Sequence, residues 1–274
     1  MSRSVYDYMD WPRIEAIVYG EEASPKDVMG PRLTTEGVLI QGFFPGAESV
    51  EVVSGRKAYP MEMEDEAGYF AVLIPGRKIP AYKYRVTRQG STEVSADPYA
   101  FSGQITEDEE KAFCAGVYYH AYEKLGAHQM TIGTTEGTCF AVWAPNAVSV
   151  SVVGDFNNWD GRGHLMHRMP MSGIFELFIP EVKAGDLYKY EINIKGGQKV
   201  LKTDPYGTCT ELPPATASVV AKAAGNMTWE DASWIKEREK YADRKQPVSI
   251  YETSLDKWKN GEELTAFVKK LGYT

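Results

Sequence analysis

The sequence is poor in the residues that build metal and disulfide sites. It has 3 cysteines and 4 histidines among 274 residues. The cysteines, Cys114, Cys139 and Cys209, are odd in number and widely spaced, which suits neither a disulfide framework nor a zinc site. His164 and His167 are three residues apart, but no neighbouring cluster completes a metal shell. The sequence also has no glycine-rich phosphate-binding motif. We therefore expect the thiols to be reduced, and we expect the chain to hold neither a metal nor a cofactor.

Long apolar runs and an excess of basic charge are also missing. No stretch approaches the roughly 18–20 consecutive apolar residues of a membrane helix, and the N-terminus lacks the apolar core of a signal peptide. Lysine and arginine number 30 against 38 acidic residues, a net charge of −8, whereas phosphate binding needs a basic patch. We therefore expect a cytoplasmic protein with no membrane and no nucleic-acid partner. A neutral ligand such as a polysaccharide is compatible with this charge.

An internal repeat organises the chain. The stretch from Gly37 to Tyr99 recurs as Gly137 to Tyr206. The matches keep their order while the offset grows from 100 (137 − 37) to 107 (206 − 99), as expected when one copy of a repeat gains loop residues. The matched positions include Pro45 with Pro145, Tyr82-Lys83-Tyr84 with Tyr188-Lys189-Tyr190, and Asp97-Pro98-Tyr99 with Asp204-Pro205-Tyr206.

Each copy is built from short runs in which apolar and polar residues alternate. Residues 188–194 are an example, and Pro75-Gly76 and Gly196-Gly197 mark turns between such runs. A period of two with one polar face is typical of half-buried antiparallel strands. The sequence therefore predicts a mainly β protein with two tandem immunoglobulin-like β-sandwiches. We place the first at residues 31–101 and the second at 133–225.

The segments around the two copies have other patterns. Residues 1–30 are predicted to form an N-terminal helical segment, in which Asp10 is the N-cap of a helix over 10–19 and Pro12 lies in its first turn. The remaining segments are a connector at 102–132 and a linker at 226–246.

Residues 247–274 change the pattern once more. The run 248–251 is strand-like, and the apolar residues of 262–272 recur at the spacing of an amphipathic helix. A strand followed by a helix begins an α/β domain rather than a third sandwich. Since such a unit cannot bury its apolar face alone, we expect residues beyond about Arg244 to be mobile or to associate between chains.

Several segments of the second copy resemble a known family. They read FAVWAPNA over 140–147, VGDFNNWD over 153–160, LYKYEI over 187–192 and TDPY over 203–206. This copy resembles a family 48 carbohydrate-binding module. Together with YEKLGAH over 122–128, the degenerate first copy and SIYE over 249–252, nearly the whole chain resembles the front of bacterial 1,4-α-glucan branching enzymes.

The resemblance implies glycogen biosynthesis, α-1,4-glucan as a partner, and a retaining (β/α)8 barrel after the sandwiches. Such a barrel holds two carboxylates on rigid elements and takes roughly 250 residues. From Pro247 to Thr274 there are 28 residues (274 − 247 + 1), enough for the first strand and helix only. We therefore predict a truncated barrel, no catalytic residue in this chain, and no branching activity by the chain alone. The missing catalytic barrel is the second expected partner.

Two other functions fit part of the pattern. One is a free-standing glycogen-binding or targeting module. Such a module would not need the strand and helix that are predicted after Pro247. The other is the front end of a debranching enzyme, which the tandem copy and the segment 122–128 disfavour.

The resemblance also implies a carbohydrate site on the second copy. Trp159 would be an aromatic platform, Lys189 a polar contact, and Asn157 and Asn158 further groups for sugar hydroxyls. The second platform aromatic of glucan-binding family members appears here as Lys199, on the turn that begins at Gly197. The first copy has no counterpart of the loop 155–160.

Two further features receive structural interpretations. Trp143 alternates with buried-type residues and is predicted to lie in the core. The acidic run Glu107 to Glu110 is predicted to be a solvated face, because adjacent side chains diverge.

Overall fold

The computed structural model describes residues 5–222, 229–241 and 249–273. The chain divides into two compact units, residues 1–223 and 224–274. The strands of the first unit fall into two groups. The first group is β1 (Gly30–Leu33), β2 (Val38–Phe43), β3 (Ser49–Ser54), β4 (Lys57–Pro60), β5 (Glu62–Asp65), β6 (Tyr69–Ile74), β7 (Lys83–Arg88) and β8 (Ser91–Ser95).

The second group belongs to the second copy of the repeat. It contains β9 (Gly126–Ile132), β10 (Thr135–Trp143), β11 (Ala147–Gly154), β12 (His167–Arg168), β13 (Ile174–Pro180), β14 (Leu187–Ile194), β15 (Gln198–Lys202), β16 (Cys209–Thr210) and β17 (Ser218–Val219).

These strands form four antiparallel sheets. Sheet A has the order β1-β2-β6-β5 and sheet B the order β4-β3-β7-β8. Sheet C has the order β12-β13-β10-β9, and sheet D the order β11-β14-β17-β16 with β15 paired to β14. Sheets A and B enclose one core and sheets C and D another, so the predicted mainly β architecture of two tandem sandwiches is confirmed. The core of the first contains Val38, Ile40, Val50, Val52, Phe70, Tyr84 and Val86, and that of the second Phe140, Val142, Val150, Val152, Phe175, Leu177, Tyr188 and Tyr190.

The repeated tyrosines and aspartates form the same buried cluster in both copies. In the first, Tyr82 and Tyr84 donate their hydroxyl hydrogens to Asp97 Oδ2 at 2.5 and 2.8 Å. In the second, Tyr188 and Tyr190 donate to Asp204 Oδ2 at 2.6 and 3.1 Å. Burial raises the pKa of each aspartate, although the tyrosine hydrogen bonds oppose that shift. The conserved feature of the repeat is therefore a structural network inside each sandwich.

The N-terminal helix confirms its sequence prediction. Helix α1 (Trp11–Tyr19) starts after Asp10 and carries proline in its first turn. The Asp10 side chain makes no capping hydrogen bond, and the helix ends at Gly20, whose φ of 73° is left-handed. Glycine tolerates that conformation without strain. Ile14 and Ile17 are buried in the core cluster of the second sandwich, so α1 packs where the two sandwiches meet.

Strand β2, in the middle of sheet A, is buried on both faces because the second sandwich covers it. All six residues of β2 are buried, although a free sandwich leaves alternate residues of a strand in water. Val38 and Ile40 point into the first core, whereas Phe43 and Tyr69 belong to the core cluster of the second sandwich. The two sandwiches therefore share a continuous apolar interface.

The part of the connector that precedes β9, together with Phe101 just before it, packs over the outer face of sheet C; the last residues of the predicted connector, 126–132, are strand β9 of that sheet. Phe101 contacts Phe178 at a ring-centroid distance of 4.8 Å, and Phe113 contacts Trp143 at 5.9 Å. Between them, the backbone N–H groups of residues 104 and 105 donate to Glu176 at 3.0 and 3.2 Å. This segment therefore covers the outer face of sheet C and supplies hydrogen-bond donors to the buried carboxylate of Glu176.

Two sequence predictions about this region are wrong. Helix α2 (Glu107–Cys114) buries Glu110, whose Oε1 accepts hydrogen bonds from the backbone N–H groups of Met171 and Ser172 at 2.9 and 2.8 Å. The acidic run is therefore not a fully solvated face. Trp143 is 53% exposed rather than in the core, because it is the last residue of β10 and the cover ends beside it.

The described residues of the second unit include two α-helices, α3 (Ala232–Tyr241) and α4 (Gly261–Lys270). Asn260 caps α4 by accepting from the backbone N–H of Glu263 at 2.9 Å, so the predicted C-terminal helix is confirmed. The apolar face of α4 stays partly exposed, with Phe267 at 39%. Residues 249–251 form no strand and Val248 lies outside the described residues, so the predicted barrel strand is not confirmed. Within the described ranges, no helix is long and apolar enough to cross a membrane.

Candidate functional site

The loop that carries the candidate site follows β11 of the second sandwich. After Gly154 the chain makes a short 3-10 helix, Asp155–Asn157, and then bends through Asn158 and Trp159, with Asn158 exposed. These two residues have left-handed φ values of 53° and 60°, a conformation that asparagine adopts readily but that costs a bulky residue such as Trp159 about 1–3 kcal/mol. The backbone N–H of Trp159 donates to the Gly154 carbonyl at 2.9 Å and closes the loop. Strain of this kind persists only where the surroundings hold the backbone in place.

The indole of Trp159 is fixed by its own loop. Its Nε1–H donates to Asp155 Oδ1 at 2.8 Å, and the residue is 37% exposed. Since its one hydrogen-bond donor is used inside the loop, the indole offers a ligand its apolar ring surface. A flat aromatic surface covers the apolar face of a pyranose ring while losing few rotamers.

Asn157 has a different place from the one the sequence suggested. Its Nδ2 donates to the Val152 carbonyl at 2.8 Å and lies 2.9 Å from His164 Nδ1, while its Oδ1 accepts from the Gly154 N–H at 2.9 Å. Burial lowers the pKa of His164 to about 4, so at neutral pH the imidazole is uncharged and Nδ1 can accept. Both Asn157 donors are therefore used to shape the loop.

Lys189 lies at the same end of sheet D as the loop. It stands opposite Val153 on β11, one residue before Gly154, to which Trp159 is bonded. The Lys189 ammonium donates to Thr216 Oγ1 at 2.7 Å. The fold therefore places Lys189 on the strand next to β11, the strand that leads into the Trp159 loop.

Lys199 has a partner of its own in the second sandwich. It lies within β15 rather than on the turn before it, and its Nζ is 3.3 Å from Glu191 Oε1. The same Nζ lies 3.1 Å from the position that a Cβ at Gly20 would occupy, at the carbonyl end of α1. A cation is favourable at that end of a helix. Lys199, which stands where the second platform aromatic would be, therefore contacts the C-terminal end of α1.

Sequence reasoning missed the part that the first sandwich plays in this loop. The Arg162 guanidinium binds Asp160 Oδ2 at 2.8 Å and lies 5.9 Å from the ring centroid of Phe43. The hydrogen bond from Arg162 holds the pKa of Asp160 below its usual range. A signal was present, because the apolar run of β2 has no polar alternation and predicts a strand covered on both faces.

The described part of the chain gives less support for a metal site or for a second ligand site. No group of three or more histidine, cysteine or acidic side chains there could hold a metal ion, and His164 is used by the loop. A cleft with a volume of about 640 Å³ lies elsewhere, between Lys83 of β7 and the hairpin residues 129–137. Its lining combines hydroxyl, amide and charged groups with the apolar side chains of Met130 and Val182, and it contains no aromatic side chain.

Comparison with protein families assigns both sandwiches. Residues 10–99 match the family described as the N-terminal domain of alpha-1,4-glucan branching enzyme GlgB. Residues 124–207 match carbohydrate-binding module 48, the isoamylase N-terminal domain. The second match covers β9 to β15 and the loop with Trp159.

Curated relatives extend the likeness over nearly the whole chain. The chain is 38% identical over 267 residues to the 1,4-alpha-glucan branching enzyme GlgB 1 of Streptomyces coelicolor, covering 95% of this chain and 34% of that protein. It is 39% identical over 272 residues to the 1,4-alpha-glucan branching enzyme GlgB of Cereibacter sphaeroides, with shares of 95% and 37%. The chain therefore spans about a third of the length of the curated relatives it matches.

Proposed function

The chain is the N-terminal region of a 1,4-alpha-glucan branching enzyme, with its carbohydrate-binding module, and we propose that it binds α-1,4-glucan at the loop 155–160. The observation that carries the proposal is the fixed, partly exposed indole of Trp159 on the loop after β11, with Lys189 on the neighbouring strand β14. The ring would lie against the apolar face of a glucose unit. The Lys189 ammonium and the exposed Asn158 amide would meet its hydroxyl groups.

Asn157 has a supporting role in this proposal. Its amide donors are taken by the loop, and a sugar hydroxyl would have to displace one of those bonds. A net hydrogen bond is worth about 0.5–1.5 kcal/mol, so the exchange gains little. We therefore assign sugar contact to Trp159, Lys189 and Asn158, and loop shape to Asn157.

The expected affinity is low. One aromatic platform contributes about 0.5–1.5 kcal/mol beyond the area it buries, whereas a micromolar dissociation constant represents roughly 8 kcal/mol. We expect dissociation constants near the millimolar range for short maltooligosaccharides. Such a site would hold a long glucan in place for chemistry carried out elsewhere.

The branching reaction belongs, in this proposal, to the part of the relatives that this chain does not span. The sandwiches would support that catalytic part and supply it with glucan. We expect the chain alone to leave the iodine complex of amylose unchanged and to form no α-1,6 linkages. New branch points that increase in proportion to the amount of protein would contradict this division of roles.

We assign the chain to the cytoplasm, where glycogen is made. The cysteines of the described residues are free, and Cys139 is buried. Burial raises the pKa of the Cys139 thiol to about 12, so it stays protonated and unreactive. Expression of the chain in a reducing cytoplasm should therefore give the same fold as expression without reductant.

Affinity electrophoresis in gels with and without glycogen tests the proposal. Wild type should be retarded by glycogen, and Trp159→Ala should lose most of that retardation. Trp229→Ala is the matched control, because Trp229 is 70% exposed and lies in the second unit. Retardation that survives Trp159→Ala would move the site elsewhere, and no retardation of wild type would remove the proposed function.

A further inference from the structure

The strained loop is anchored by the first sandwich. The hydroxyl of Tyr99 lies 3.3 Å from the carbonyl oxygen of Gly163 and 3.2 Å from that of Leu165. A tyrosine has one hydroxyl hydrogen to donate, so the two carbonyls share it. Tyr99 is 8% exposed, and the segment it holds follows directly after the Trp159 bend.

The second copy shows that the motif itself does not require this burial. Tyr206 is the counterpart of Tyr99, and both backbone N–H groups donate to the aspartate two residues earlier at 2.8 Å. Yet Tyr206 is 40% exposed, five times the 8% of Tyr99. The buried ring and hydroxyl of Tyr99 are therefore specific to the contact with the loop.

The first sandwich makes a further contact with this loop. Phe43 of sheet A lies against the guanidinium of Arg162, which in turn binds Asp160 at the end of the loop. The loop thus rests on groups that another sandwich supplies.

We infer that Tyr99 is a positioning residue for glucan binding, which holds the Trp159 loop in its binding shape from the first sandwich. The inference rests on the proposed function of that loop. A backbone with two left-handed residues relaxes when its restraints are removed, and the Trp159 ring would then lose its fixed direction. The first sandwich has no such loop of its own, and its contribution to binding is made through this contact.

The test compares two tyrosine hydroxyls of the same apolar interface. Tyr99→Phe removes the anchor, whereas Tyr69→Phe removes a hydroxyl that donates to Gln41 Oε1 of the same sheet A at 3.2 Å. In glycogen affinity electrophoresis we expect Tyr99→Phe to weaken binding about threefold to tenfold, the range for one lost hydrogen bond. Tyr69→Phe should bind like wild type, even if urea unfolding shows a similar loss of stability.

A double variant separates positioning from general damage. If Tyr99 acts through the loop, Tyr99→Phe should have no further effect on binding in a Trp159→Ala background. Arg162→Met is a second probe of the anchor that removes a surface contact instead of a buried one, and should also weaken binding. Normal binding by Tyr99→Phe and Arg162→Met, with Trp159→Ala still impaired, would overturn the inference and leave the proposed function intact. A wild-type chain that does not bind would defeat the proposed function itself.

Discussion

The two sandwiches share an internal hydrogen-bond network and differ in what they present outside it. Asp97 in the first and Asp204 in the second each accept from two tyrosine hydroxyls. Only the second has the loop with Trp159, and only the first gives up an outer sheet face, that of sheet A, to hold its neighbour. The two copies thus have the same stabilising hydrogen-bond network and different outer surfaces.

The largest expected effect tests the shared part of the comparison. Asp97→Ala and Asp204→Ala should each lower the free energy of unfolding by about 3 kcal/mol or more, because each removes the acceptor of two tyrosine hydroxyls and of one backbone N–H group. Asp97→Asn and Asp204→Asn keep an acceptor oxygen and should cost less. Urea unfolding of the four variants measures this. A sandwich that tolerates its alanine variant would show that the two networks are not equivalent.

The second prediction concerns a group that only the second sandwich has. The pKa of His164 is lowered from 6.5 to about 4 by burial, so the unfolded chain takes up a proton in this range before the folded chain does. Stability should therefore fall as the pH drops from about 6.5 towards 4, by about 2 kcal/mol at pH 5.

His164→Gln is the control for that pH dependence. Glutamine can still accept from Asn157 and has no charge to gain. The difference between the two unfolding curves at pH 7 and pH 5 isolates the histidine from the carboxyl groups. Parallel pH dependence in wild type and His164→Gln would show that the imidazole is not kept neutral by the fold.

The smallest expected effect concerns Lys199, which stands at the candidate ligand site of the second sandwich. Lys199→Trp places an aromatic ring where glucan-binding family members have their second platform, and should tighten glycogen binding by about 1 kcal/mol, roughly fivefold. Lys199→Met is the matched control, since it also removes the ammonium beside Glu191 and Gly20. Binding by Lys199→Trp no tighter than that of Lys199→Met would place the sugar away from this position.

The sequence was informative where a local pattern determines the structure. The alternation of residues 188–194 and the repeat itself predicted strands and two sandwiches, and the apolar spacing of 262–272 predicted α4. Those signals depend on neighbours along the chain. The strand at 248–251 rested on four residues, too few for periodicity alone to settle.

The site was harder to predict because its geometry depends on distant residues. Nothing near Asn157 indicates that both its amide donors are used by Val152 and His164. The sequence pattern predicts a solvated Glu110. That prediction fails because the partners of Glu110, Met171 and Ser172, are about sixty residues away in the sequence. The alternation along β10 predicts a buried Trp143. That prediction is wrong because the segment that covers sheet C ends beside this residue. Long-range packing decided each case.

Hydrogen exchange with and without maltoheptaose tests the central claim most directly, because it locates the ligand on the unmodified chain. We predict slower amide exchange in residues 154–165 and around Lys189, and in the segment of the first sandwich that contains Tyr99. Exchange in the hairpin 129–137 should not change. Protection centred on that hairpin and Lys83, with none in residues 154–165, would place the glucan in the open cleft and contradict the account.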